Sequence, residues 1–191
     1  MYQMVLFDKT RIEDYLQAFE KASSGSVVCY CTHWNMTEEE IENKIIAPVK
    51  NNTMQLNQSA GKVAERMIND GQIRGYLAYK NGVPVGWCNC DDKSKYIFLA
   101  RHVQSITAEK KVKSIVCIKA FDDEDFNQVG SAILDTVCKE ARTEGYVCIE
   151  AYPYKGAMVC ADYGDVVKLY LSNGFQKIKK QGEGIIFQKM L

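Results

Sequence analysis

The sequence is poor in several features that would mark particular classes of protein. It has only three prolines and no internal repeat or low-complexity tract, which argues against a repeat array or a flexible linker. No run of about 18 apolar residues occurs, so no membrane-spanning helix is predicted. Lys plus Arg and Asp plus Glu each number 24, and this zero net charge gives no general attraction to nucleic-acid phosphates. We therefore expect neither a membrane nor a nucleic-acid partner.

The length and the apolar content favour one folded unit. With 191 residues, 47% of them hydrophobic, the chain is long enough to bury one sizeable core. We therefore expect a single domain over residues 1–191. The first ten residues, MYQMVLFDKT, reach Asp8 and Lys9 before an apolar signal-peptide core can form, so we expect a cytoplasmic protein.

The eight cysteines include two Cys-x-Cys pairs, Cys29/Cys31 and Cys88/Cys90. Cys29, Cys31 and His33 alternate along a predicted strand, so they would share one face with their side chains. If the strand with the second pair were its neighbour, the set would resemble a zinc site. Zinc ligands more often lie on tight turns with two intervening residues. We favour buried thiols and no metal, and a zinc-binding structural domain stays open as an alternative.

Apolar periodicity predicts alternating helices and strands. Early helices are predicted from about Ile12, from Thr37 to Ala47 before Pro48, and from Ser59 to Asp70, with a strand over SVVCYCTHW. GYLAYK and VPVGWCNC flank Asn81-Gly82, a dipeptide typical of the type I′ turn of a hairpin. A strand at Ser114–Ala120, a helix opening near Gly130, a strand at Tyr146–Ala151, a short helix and two last strands follow. The pattern indicates an α/β protein with a mixed central sheet and flanking helices.

The joint between the Ser114–Ala120 strand and the following helix is suited to phosphate. A helix N-terminus offers unpaired N–H groups and a partial positive charge. Gly130, Ser131 and Ala132 are small enough for close approach of a ligand. Small residues also serve helix packing, and the spacing alone leaves both roles open.

Several motifs in the same order resemble the GNAT N-acetyltransferases, in a bacterial branch of that family. The loop NQVGSA is similar to the family pattern R/Q-x-x-G-x-G/A, with Asn127 at the Arg/Gln position, Gly130 at the central glycine and Ala132 at the last small residue. LYLSNGF supplies the family's tyrosine, Tyr170, followed by Gly-Phe. The hairpin around Asn81-Gly82 contains the typical pair Val85-Gly86.

The resemblance implies the GNAT fold, with two parallel central strands that splay apart around acetyl-CoA. It implies that the cofactor-binding residues are Ile118, Ala120, Asn127, Gln128, Val129, Gly130, Ser131 and Ala132, the first two through backbone along the pantetheine arm. Tyr170 would protonate the departing thiolate. Glu150 would take a proton from the acceptor amine, and its pairing with a lysine stays open as the alternative.

Two departures from the family pattern bear on activity. Asn127 replaces arginine or glutamine, and Gln128 replaces a common glycine. The acidic turn Asp122-Asp123-Glu124-Asp125 comes directly before these two residues. Either those acids face solvent, or CoA binding is degraded and the protein is a regulatory or inactive GNAT-fold protein.

The resemblance leaves the acceptor, a small-molecule or peptide amine, unspecified, and the sequence leaves the oligomeric state open, a homodimer included. Aromatic residues of the first half are candidates for the acceptor pocket: Tyr30, Trp34, Tyr76, Tyr79 and Trp87.

Overall fold

Seven strands form one sheet in the order β1-β2-β3-β4-β5-β7-β6. The computed structural model of the chain describes residues 1–22, 29–103, 111–121, 124–155, 162–182 and 184–191. The strands are β1 (Gln3–Leu6), β2 (Gly75–Lys80), β3 (Val83–Asp92), β4 (Val112–Ala120), β5 (Cys148–Ala151), β6 (Gln176–Gln181) and β7 (Gly184–Met190). Among these described strands, β4 and β5 pair in parallel, and the other neighbours are antiparallel. The predicted mixed α/β class is confirmed.

Helices cover both faces of the sheet. They are α1 (Ile12–Ala22), α2 (Glu38–Ile41), α3 (Ala47–Lys50), α4 (Leu56–Asn69), α5 (Ile97–His102), α6 (Phe126–Thr143) and α7 (Tyr163–Ser172). The apolar stripes of α6 and α7 are buried in one cluster, and those of α1 and α4 are buried in another. Within the described ranges, no helix has the length and apolar character needed to cross a membrane.

The hairpin between β2 and β3 forms as the sequence predicts. Asn81 and Gly82 have φ angles of 53° and 78°, the left-handed conformation that a type I′ turn requires at both positions. Lys80 and Val83 pair on either side of them. The dipeptide therefore sets the register of the two strands.

The predicted strand over SVVCYCTHW is wrong where the structure describes it, from Cys29 onward; residues 23–28 lie outside the described ranges. Tyr30 and Cys31 have positive φ angles of 45° and 53°, and Thr32–Asn35 forms a short 3-10 helix. The chain turns here because Tyr30 is buried beside α1, where Tyr15 donates a hydrogen bond to the Tyr30 carbonyl at 2.6 Å. Burial of one aromatic side chain overrides the β-propensity of the segment.

The second helical segment begins at Thr37 as predicted but does not stop before Pro48. The Thr37 hydroxyl accepts from the Glu40 N–H at 3.1 Å, and the Glu40 carboxylate accepts from the Thr37 N–H at 3.0 Å, a capping box. A π-helical stretch (Glu42–Ile46) joins α2 to α3. Proline cannot donate to the carbonyl four residues earlier, and the Ser59 hydroxyl donates to that Lys44 carbonyl instead, at 3.1 Å. The helix therefore tolerates the proline.

Candidate active site

The two parallel central strands separate and leave an opening between them. β4 and β5 pair only from Val112↔Cys148 to Ile115↔Ala151, after which β5 ends and β4 continues to Ala120. A cavity of about 160 Å³ lies at the point of separation. Its wall comprises Ile115–Ile118 of β4, Tyr152–Tyr154 after β5, Val166 and Tyr170 of α7, and Cys29, Cys31, His33 and Trp34 before α2.

Beyond Ile115, one edge of β4 faces this opening. The Phe121 N–H donates to the Val85 carbonyl of β3 at 2.9 Å. Because successive residues of a strand direct their backbone groups to alternate edges, Ile118 and Ala120 direct theirs away from β3. This edge offers N–H and C=O groups to an extended ligand, at the two positions that the sequence resemblance assigns to the cofactor arm.

The helix after β4 begins earlier than the sequence predicts. The residue that caps α6 is Asp125, and the first helical residue is Phe126 rather than a residue near Gly130. One Asp125 carboxylate oxygen accepts from the N–H groups of Asn127 at 2.9 Å and Gln128 at 3.0 Å. The Val129 N–H donates to the Asp125 carbonyl at 3.0 Å. The first turn of α6, where phosphate was expected, is thus occupied by the chain's own carboxylate.

Gly130 serves the packing of α6 on α7. A Cβ atom at this position would lie 2.6 Å from Leu169 Cδ2, well inside a normal contact. Ser131 reinforces the contact, since its hydroxyl accepts from the Asn173 side-chain amide at 3.0 Å. Gly130, Ser131 and Ala132 all lie beyond the first turn, where helical N–H groups are paired within the helix. The spacing left phosphate binding and helix packing open as roles for these small residues, and the observed contacts support helix packing.

Half of the acidic turn lies outside the described residues, namely Asp122 and Asp123. Glu124 is paired with Lys80 at 2.8 Å and accepts a hydrogen bond from the Tyr2 hydroxyl at 3.1 Å. The Lys80 hydrogen bond lowers the pKa of Glu124. Its negative charge is therefore partly balanced on the side of β1 and β2, and Asp125 is the acid that lies directly at the helix end.

Tyr170 lies in the wall of the cavity and is 2% exposed. Its ring packs against Phe175 and Phe187, with centroids 5.1 and 5.7 Å away. The helix end that places it contains Gly174 with φ of 80°, and the Phe175 N–H donates to the Tyr170 carbonyl at 3.0 Å. Burial raises the pKa of Tyr170 well above its ordinary value, so its phenol carries a proton at neutral pH.

Glu150 is fully buried in β5 and does not line the cavity. Its carboxylate contacts the Lys93 ammonium at 2.6 Å, accepts from the Tyr152 hydroxyl at 2.8 Å and accepts from the Gln188 amide at 3.3 Å. The lysine pairing that the sequence left open is thus observed. Tyr152 connects this network to the cavity wall, and burial raises the pKa of its phenol.

The two cysteine pairs lie in different clusters. Cys88 and Cys90 are buried on the α6 face of the sheet, whereas Cys31 is buried with α1 and α4. The zinc alternative required the two pairs to lie on neighbouring strands, and it is therefore wrong. Across the described ranges, no group of three or more His, Cys, Asp or Glu side chains is placed to hold a metal ion.

Most of the aromatic candidates for an acceptor pocket belong to the protein core. Tyr30, Tyr76, Tyr79 and Trp87 are buried away from the cavity, and only Trp34 lines it. Sequence reasoning missed Tyr152 and Tyr154, although they directly follow the second splayed strand. His33 was considered only as a zinc ligand, because no sequence signal indicated the turn that places this residue at the cavity.

Solved structures show the same architecture. A PaiA N-acetyltransferase from Thermoplasma acidophilum in complex with coenzyme A has a TM-score of 0.59, with 12% identity, 100% of this chain covered and 99% of that chain. A GNAT-family acetyltransferase from Listeria monocytogenes has a TM-score of 0.55, 11% identity and coverages of 100% and 95%. The chain has the GNAT acetyltransferase fold.

A ribosomal-protein-alanine N-acetyltransferase from Brucella melitensis shares this GNAT fold, with a TM-score of 0.55, 13% identity and coverages of 99% of both chains. No protein-family model and no curated protein sequence matches the chain. With identities of 11–13%, these likenesses establish the fold.

Proposed function

We propose that the protein is an N-acetyltransferase that passes an acetyl group directly from acetyl-CoA to the amine of a small molecule or peptide. The observation that carries this proposal is the opening between β4 and β5, with Tyr170 in its wall. The neighbour from Thermoplasma acidophilum was solved with coenzyme A, which supports a ligand of this kind for the fold.

The residues around the opening fit a CoA thioester in two respects. The backbone edge at Ile118 and Ala120 suits the amide-bearing pantetheine arm, since that edge needs hydrogen-bond partners. The chain leaves β4 and enters α6, so the arm would point toward the α6 N-terminus and its N–H groups at Asn127 and Gln128. These N–H groups become available to the pyrophosphate when the Asp125 side chain turns away.

The thioester supplies an activated acetyl group, and the protein supplies position and proton transfer. Backbone N–H groups on the open edge of β4 would hydrogen-bond the carbonyl oxygen as negative charge develops on it. The protonated phenol of Tyr170 would donate its proton to the sulfur as the carbon–sulfur bond breaks. We retain Glu150 as a residue that positions Tyr152, because its carboxylate accepts a hydrogen bond from the Tyr152 hydroxyl at 2.8 Å.

The test combines acetyl-CoA binding with thiol release. Binding is measured by titration calorimetry, and free CoA thiol is followed with a chromogenic disulfide in the presence of spermidine, kanamycin, free lysine, tyramine and a peptide with an N-terminal alanine. Wild type should bind acetyl-CoA and release thiol with at least one amine. A dissociation constant above about 1 mM, equivalent to less than about 4.1 kcal/mol of binding free energy, would contradict the proposal.

The variant Tyr170→Phe tests the proton donor. It keeps the ring that packs on Phe175 and Phe187, so unfolding temperature and acetyl-CoA binding should stay close to wild type. The turnover number should fall by about 10²- to 10⁴-fold, the usual contribution of a general acid. Tyr163→Phe, a change of the same kind at the first residue of α7 and outside the cavity wall, is the matched control.

A second candidate is a CoA-binding regulatory or inactive protein with the same fold. The observation in its favour is the Asp125 carboxylate on the N–H groups of the α6 N-terminus. This candidate predicts weakened acetyl-CoA binding and no thiol release with any amine of the panel, whereas the enzyme predicts both binding and thiol release.

A further inference from the structure

His33 contributes to the cavity wall from the 3-10 turn before α2. Its ring packs against Trp34 and Phe98, with centroids 4.6 and 6.0 Å away. Its Nδ1 atom is buried and has no hydrogen-bond partner among the described residues. A buried polar atom without a partner is uncommon in folded proteins and calls for an explanation.

The environment of His33 keeps its imidazole neutral. Burial lowers the pKa of His33, and the nearby Cys29 opposes that shift only in part. A neutral imidazole has one nitrogen with an unprotonated lone pair. At neutral pH the residue is therefore in the state that accepts a proton.

The other titratable groups of the described wall are thiols and phenols, which are proton donors in their neutral form. They are the thiols of Cys29, Cys31 and Cys117 and the phenols of Tyr152, Tyr154 and Tyr170, and the described lining holds no Asp, Glu, Lys or Arg. Burial raises the pKa of Tyr152 and of Tyr170, so these two phenols hold their protons at pH 7. Glu150 of β5 is outside this wall and is buried against Lys93.

We propose that His33 is the proton acceptor for the amine substrate, a role that rests on the proposed acetyl transfer. The amine nitrogen attacks the thioester carbonyl carbon, a carbon–nitrogen bond forms and the carbon–sulfur bond breaks. His33 takes the proton that the nitrogen loses, and Tyr170 gives a proton to the sulfur. Solvent then returns both side chains to their starting states, so the net products are the acetamide and CoA thiol.

Three variants separate this role from packing. His33→Gln removes the titrating ring, His33→Phe keeps an aromatic ring against Trp34 and Phe98, and His102→Gln alters the chain's other histidine as a control. Both His33 variants should lose about 10²- to 10⁴-fold in turnover with the most active amine of the panel, with acetyl-CoA affinity unchanged. His102→Gln should behave as wild type.

The pH profile supplies a readout that packing would not change. Hydrolysis of acetyl-CoA is measured with water as the acceptor, because water does not titrate in the range studied. Wild type should lose kcat/KM as pH falls through a pKa below the ordinary histidine value of about 6.5. This acidic limb should disappear in His33→Gln and persist in His102→Gln.

A rate near wild type in His33→Phe, or an acidic limb retained in His33→Gln, would overturn the proposal. If both variants fail to fold, histidine NMR of wild type decides, since the chain has only two histidines. His33 should titrate below about 6.5 and shift when the active amine is added, and a signal indifferent to the amine refutes the role. Failure of acetyl transfer itself is visible separately, as wild type that neither binds acetyl-CoA nor releases thiol.

Discussion

Replacement of Asp125 by asparagine should tighten CoA binding without changing stability. The carboxylate accepts from the Asn127 and Gln128 N–H groups at 2.9 and 3.0 Å, which puts a negative charge where the proposed function puts a pyrophosphate. Asparagine caps helices about as well as aspartate. The substitution therefore removes the charge and keeps the cap.

The expected size follows from Coulomb's law. One charge pair 4 Å apart costs about 1 kcal/mol in water and about 4 kcal/mol at an effective dielectric constant of 20. Asp125 is exposed, so the lower figure applies, and about 1 kcal/mol corresponds to about a fivefold tighter dissociation constant. Asp125→Ala also frees the two N–H groups, so it should bind CoA at least as tightly but lose about 1 kcal/mol of stability with the cap.

Titration calorimetry with CoA and thermal unfolding test this reasoning together. Asp135→Asn is the matched control, because it removes an equal charge about 15 Å further along α6 at 1.5 Å per residue, beyond the screening length of about 8 Å. The gain in Asp125→Asn should shrink as salt is added. Equal affinities for wild type, Asp125→Asn and Asp125→Ala would show that no phosphate binds at the α6 N-terminus.

Three further outcomes follow from the packing. Lys93→Met should cost about 3–5 kcal/mol of unfolding free energy in urea, because it leaves Glu150 charged and buried. Lys44→Met removes an exposed pair and should cost about 0.5 kcal/mol or less. Similar losses for the two variants would contradict the buried pair. Gly130→Ala gains up to about 1 kcal/mol of helix propensity, but the overpacking against Leu169 costs about 1–3 kcal/mol of stability. Calorimetry should therefore show a net loss of stability, and a stabilised variant would contradict the close contact. Burial raises the pKa of several tyrosines, so the folded state holds protons that the unfolded state releases near pH 10, and stability should be lost above that pH. The absorbance of the buried tyrosinates should then rise only together with the loss of circular dichroism, and titration of all eleven tyrosines near pH 10 in a folded protein would contradict this.

Local sequence signals were sufficient to predict a turn or a helix start wherever one residue type satisfies one backbone requirement. Asn81-Gly82 can adopt the two positive φ angles of a type I′ turn, and the hairpin forms there. Thr37 and Glu40 form the predicted helix start. The order of the predicted elements was enough to predict the mixed sheet, and the resemblance of NQVGSA and LYLSNGF to family motifs implied its GNAT arrangement.

Signals that depend on tertiary contacts could not be read in the same way. The strand predicted over Cys29–Trp34 fails because Tyr30 turns into the core beside Tyr15. The Lys93 partner of Glu150 is 57 residues away along the chain, so the sequence could name the carboxylate but not its neighbour. The start of α6 was placed near Gly130, too late, because the signal that sets the start is the cap at Asp125, and Gly130 contacts Leu169 inside the helix.

The residues that make the resemblance recognisable are largely those that pack the fold. Gly130 leaves room for the Leu169 side chain, and a Cβ atom on Gly86 would lie 2.4 Å from Val129 Cγ1. Such contacts persist whether or not the site turns over, so they support the architecture and leave the activity open. The proposed activity depends instead on groups that the pattern does not fix: the charge at Asp125 and the Nδ1 atom of His33, which has no partner among the described residues. A GNAT-fold protein that has lost its chemistry would keep the two glycines, and the variants at these other two positions are therefore the informative ones.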